Sequence, residues 1–118
     1  MAELNRLVAS NPEFPAYYGL RSEVYWHLGN QDAFVADRLR TMEKNGRPER
    51  AEAFAFGYRK AKLKGAFTAL NELLKNQSQK EYVSPFDIAL NYAAMGDRDN
   101  TFEWLEKHTR SGRGGWST

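Results

Sequence analysis

At 118 residues and a net charge of +2, the chain is long enough to bury one core but too short for two separate ones. Three Trp, six Tyr and seven Phe exclude a disordered polypeptide, and the lack of cysteine excludes disulfides and thiolate metal sites. No stretch approaches the roughly 18 consecutive apolar residues of a membrane helix. The opening MAELNRLVASNPEFP carries Glu3 and Arg6 where a secretory signal needs an apolar run. A cytoplasmic protein is therefore expected.

Charge is distributed unevenly. Residues 57–80 hold Arg59, Lys60, Lys62, Lys64, Lys75 and Lys80 against Glu72 alone, or +5, whereas residues 1–56 sum to −1 and residues 81–118 to −2. A basic middle segment is either a solvated helix face or a surface for an acidic partner.

In chain order, residues 1–12 read as a leading helix with Leu4, Leu7 and Val8 on one side, closed by Asn11-Pro12. It has the look of the second helix of an earlier unit, so the chain is expected to be a fragment of a longer protein. Residues 14–45 form a first hairpin. Its first helix runs from Pro15 to Gly29, with Tyr17, Tyr18, Val24, Tyr25 and Leu28 apolar, and its second carries Phe34, Val35, Leu39 and Met42 up to Asn45-Gly46. Residues 47–78 form the next, Pro48 opening a helix with Ala51, Phe54, Ala55 and Tyr58 that stops near Gly65. AFTALNELLKN then places Phe67, Leu70, Leu73 and Leu74 on one face.

The third hairpin, 82–110, has the clearest signals. Ser84 is an N-cap before Pro85, Asp87 sits in the first turn, and Phe86, Ile88, Ala89, Tyr92, Ala93 and Met95 recur at helical spacing. Gly96 stops that helix. Asp97, Asp99 and Asn100 offer a cap for the next, which carries Phe102, Trp104, Leu105 and His108. The tail 111–118, SGRGGWST, is expected to be loose, with Trp116 either free or docked on the last hairpin. The turn glycines at 29, 65 and 96 lie 36 and 31 residues apart, a spacing of stacked repeats. The expected fold is all-α, an α-α superhelix of antiparallel hairpins, with about three repeats and a leading helix.

These residues resemble tetratricopeptide repeats. In the third unit Pro85, Ile88-Ala89, Tyr92, Gly96 and Asp97 fall at the family's signature places. Tyr18, Ser22, Tyr25 and Gly29 match in the first unit, and Phe54, Gly57, Tyr58 and Gly65 in the second. Arg21 takes a slot that the family fills with an apolar residue, and Thr101 and His108 stand where it has small alanines. The last stretch is similar to tetratricopeptide tails of bacterial regulators and kinases.

The resemblance implies a scaffold or sensor that binds a protein or peptide in a concave groove lined by first helices. Groove positions carried over are Glu23, Trp26 and His27, then Glu52, Arg59 and Lys62, then Phe86, Leu90 and Ala93. Trp26 is either an anchor for the partner or packed on the next unit's helix. Arg59 and Lys62, three apart, are expected to share a face and either pair with an acidic ligand or stay solvated. The Lys and Asn of the family's carboxylate clamp are replaced by Gly19 and Glu23.

No catalytic signature emerges. His27 and His108 lie in different repeats, GRGG at 112–115 lacks the lysine of a phosphate loop, and no cofactor motif is present. The reading is a non-catalytic module without metal, cofactor or membrane. Nucleic-acid binding through 57–80 is the runner-up, disfavoured by the acidic flanks. Homodimerisation through exposed repeat ends is a third reading.

Overall fold

Helix-stopping residues divide the chain into helices and short turns. The computed structural model describes the backbone of residues 1–117 and the side chains of residues 1–110. It contains α1 (Ala2–Ser10), α2 (Pro15–Leu28), α3 (Gln31–Lys44), α4 (Pro48–Gln77), α5 (Pro85–Ala94) and α6 (Arg98–Ser117), with no strand among the described residues. The fold is all-α and its packing unit is the helical hairpin, the unit from which α-α superhelices are assembled.

Three turns close their helices in one way. Gly29, Gly46 and Gly96 have φ of 75°, 78° and 76°, a left-handed conformation that a side chain disfavours. The amide one residue later then donates back into the helix: Asn30 to Tyr25 O, Arg47 to Met42 O and Asp97 to Tyr92 O, at 2.9–3.0 Å. The next helix starts at once in all three cases, and in two of them a side chain caps it. Asn30 Oδ1 accepts the Ala33 amide of α3 at 3.2 Å, and Asp97 Oδ1 accepts the Asn100 amide of α6 at 3.2 Å. A side-chain cap of this kind contributes about 1 kcal/mol. Ser84 caps α5 through the Phe86 amide, with Pro85 at its first position, as the sequence predicts.

The second hairpin corrects the sequence reading. Helical structure is continuous past Gly65 but breaks at Ala61 (φ −150°, ψ 33°) and Lys62 (φ 56°, ψ −143°). Gly57 and Gly65 then meet main chain to main chain: a Cβ on Gly57 would overlap the Gly65 carbonyl and stand 2.9 Å from Ala66 Cα. Eight residues of straight helix would separate them by about 12 Å, so the chain reverses at 61–62, folding 56–60 back on the 63–77 arm. Gly65 is thus no helix stop. It is bare because another backbone lies against it. The turn residue is a lysine in a region that is costly for any residue with a Cβ, at about 1–3 kcal/mol.

The chain divides into two compact units, Met1–Ala55 and Phe56–Thr118, with the boundary inside the 48–60 arm. In the first, α2 packs along α3 and α1 lies against α2. Val8, Tyr18, Phe34, Val35, Met42, Ala51 and Phe54 are buried. Trp26, Phe34 and Phe54 form an aromatic series, with centroids 4.9 Å and 6.5 Å apart. In the second, α5 packs along α6, and Ala66, Phe67, Leu70, Leu74, Val83, Ile88 and Ala89 are buried. The α6 backbone continues helically to Ser117, where the sequence suggests a loose tail. The docking of Trp116 lies outside the described side chains.

Candidate functional site

Two buried polar clusters hold the helices that present the candidate residues. In the first unit Asp37 of α3 is 1 % exposed. Arg21 of α2 grips it from two sides, Nε to Oδ2 at 2.6 Å and Nη2 to Oδ1 at 2.9 Å, while Arg40 donates to Oδ1 at 2.9 Å. Arg21 also donates to Asn5 of α1, at 3.0 Å, so one guanidinium ties three helices together. Its hydrogen bonds to Asp37 hold its pKa above the ordinary value. Such a pair persists in the interior because each charge is met by good geometry and further hydrogen bonds. In the second unit Asn91 of α5 donates to Asn71 Oδ1 at 2.8 Å, and Asn71 donates to Ile88 O at 3.3 Å.

On this frame, Glu23 and His27 lie four apart on the exposed side of α2, and Glu52 is exposed on the 48–60 arm. Trp26 is half-buried, and its ring stacks on Phe34 of its own hairpin. It is therefore less exposed than a free anchor would be. On α5, Phe86 and Leu90 lie four apart at 42 % and 51 % exposure, continued by exposed Ala93, so the apolar stripe divides. Ile88 and Ala89 face the core while Phe86, Leu90 and Ala93 face solvent. The Phe86 ring lies 5.5 Å from that of His108, whose buried Nδ1 has no hydrogen-bond partner among the described residues.

Arg59 and Lys62 do not share a helical face, because the reversal at 61–62 intervenes. Both instead belong to the tip of the second hairpin, together with Lys60 and Lys64, which the sequence reading left out of the candidate set. All four are exposed. Lys60 Nζ lies 5.0 Å above the Phe56 ring and Lys62 Nζ 5.3 Å above Tyr58. The signal that could have found them is the absence of any acidic residue between Glu52 and Glu72.

Glu23, Trp26, His27 and Glu52 thus belong to Met1–Ala55, and Arg59, Lys62, Phe86 and Leu90 to Phe56–Thr118. Among the described residues no group of three or more His, Asp or Glu is placed to hold a metal ion, and no helix is long and apolar enough to cross a membrane. No protein-family model, curated protein or solved structure matches the chain.

Proposed function

We propose that the chain is a tetratricopeptide-like interaction module that performs no catalysis and receives a segment of a partner protein on its exposed first-helix faces. The observation that supports this most is the period. With the second turn at Lys62 rather than Gly65, the left-handed turn residues are 29, 62 and 96, spaced 33 and 34 residues apart. Tyr25, Tyr58 and Tyr92 each stand four residues before their turn, and the residue three before each tyrosine is small: Ser22, Ala55 and Ala89. A 34-residue helical hairpin with an aromatic at a fixed place is the tetratricopeptide period.

Exposed Phe86 and Leu90 suit such a surface, since they leave apolar area in water on a helix stabilised from its other side by Ile88 and Ala89. By the same resemblance the module belongs to a cytoplasmic regulatory protein of bacterial type.

The test is selection of binders from a random peptide display library, followed by backbone amide NMR of the labelled protein with a selected peptide. Shifts concentrated on α2 and α5 are expected, with binding lost in Leu90→Glu and the melting temperature unchanged. Binding that survives Leu90→Glu, or shifts confined to second helices, would remove the proposal.

A further inference from the structure

We infer that the tip of the second hairpin, formed by Arg59, Lys60, Lys62 and Lys64, is a docking knob for a short acidic segment of a protein partner. It does not rest on the binding proposed for the exposed faces of α2 and α5.

The first observation is that these cations are uncompensated. Arg6, Arg21, Arg40, Lys44, Arg47, Lys107 and Arg110 each lie within ion-pair distance of a carboxylate. None of the four tip residues forms a salt bridge among the described residues, though Lys64 is close enough to Asp97 for its charge to favour that carboxylate. Four exposed cations within six residues, none of them in a salt bridge, create a local positive field that attracts an external anion.

The second observation is Lys62 itself. At the other left-handed turn positions, 29, 46 and 96, the residue is glycine, whereas here a lysine holds φ 56°. Backbone strain of this kind concentrates where a side chain is needed at that spot. The two ring contacts complete the picture: the ammonium groups of Lys60 and Lys62 sit over the Phe56 and Tyr58 rings and are placed before a partner arrives.

The charge pattern selects the kind of anion. Residues 1–56 and 81–118 are net negative, and the basic run stops within two turns of the tip. A long polyanion such as single-stranded nucleic acid extends past a cluster of four cations confined to six residues. Nucleic-acid binders spread their cations along the strand's path instead. A segment with a few successive carboxylates covers the tip alone, and Arg59 can hold one of them bidentately.

The experiment measures fluorescence anisotropy of a labelled hexaglutamate peptide and, in parallel, of a labelled six-thymidine oligonucleotide, at low salt and at about 150 mM salt. Saturable hexaglutamate binding is expected, tighter than that of the oligonucleotide and weakened by salt. Lys62→Gln should weaken it about threefold, and the triple variant Lys60→Gln/Lys62→Gln/Lys64→Gln by tenfold or more. Lys62→Gly should weaken binding as Lys62→Gln does while raising the melting temperature, a combination that a purely structural lysine would not give. No saturable peptide binding at low salt, equal binding by the triple variant, or tighter binding of the oligonucleotide would each overturn the inference.

Discussion

The first and third hairpins share a turn and differ in what fills the space beneath it. Aligned on Gly29 and Gly96, Tyr25 falls on Tyr92, Ser22 on Ala89 and the capping Asn30 on Asp97. The same alignment puts Arg21 on Ile88 and Asp37 on Trp104. Where the third hairpin buries hydrocarbon, with Ile88 wholly inaccessible, the first buries an ion pair at the same height. The turn and its hydrogen bonds are therefore compatible with either filling. What the difference changes is how each hairpin fails: a hydrocarbon slot tolerates no charge, and an ion pair tolerates no half.

The largest effect is expected at the hydrocarbon slot. Ile88→Asp places a carboxylate among buried apolar groups with no cation provided, and should lower stability in urea denaturation by more than about 4 kcal/mol. A variant that kept its midpoint would show that Ile88 is not core.

Next comes the ion pair. Asp37→Ala removes the carboxylate from between Arg21 and Arg40 and should cost about 3 kcal/mol, since Arg21 is left largely desolvated. The double change Arg21→Ile with Asp37→Leu, which replaces the ion pair by hydrocarbon, should fall within about 1 kcal/mol of the parent. If the double variant were as unstable as Asp37→Ala, the two fillings would not be interchangeable and the comparison would break.

A smaller and opposite effect belongs to the second hairpin. Lys62→Gly relieves the left-handed strain but adds freedom to the unfolded chain, for a net gain of about 1 kcal/mol, read as a higher denaturation midpoint. The smallest effect separates the two caps. Side-chain and backbone hydrogen bonds from Asn100 hold the Asp97 carboxyl below its ordinary value of 3.8. Its folded-state pKa is depressed, so its contribution is fully present above that value and is lost as pH falls through the folded-state pKa. Asn30 is neutral and has no such dependence. Thermal melts from pH 6 down to 2 should thus show an acid-dependent loss that Asp97→Asn reduces, and that Asn30→Ala leaves in place. A loss unchanged in Asp97→Asn would remove that assignment.

Turns made by glycine were legible from sequence, because a left-handed residue after an apolar stripe has few chemical identities. Gly29, Gly46 and Gly96 all occupy such places. The turn at 61–62 was not legible. Lysine carries no turn signature, while Gly57 and Gly65 look like stops although their role is to let two backbones touch. Arg21 stood out as a charge in an apolar slot, but its partner lies sixteen residues away across a turn, and that register emerges only on folding. Asn71 and Asn91 read as ordinary surface amides on their helices, yet they face one another in a dry interior. For the candidate surface, the family resemblance paired Phe86 with Leu90, where helical spacing alone counted Phe86 in the stripe with Ile88 and Ala89. Helical spacing failed for Arg59 and Lys62, because helical periodicity does not survive a reversal.

The Asn71–Asn91 pair has a mechanical consequence. Sliding α5 along the 63–77 arm by a single helical turn would strip both amides of their partners where no solvent can replace them, at about 1–3 kcal/mol for each stranded group. The two helices therefore meet in one notch and resist graded creep, as a ratchet does with its pawl seated.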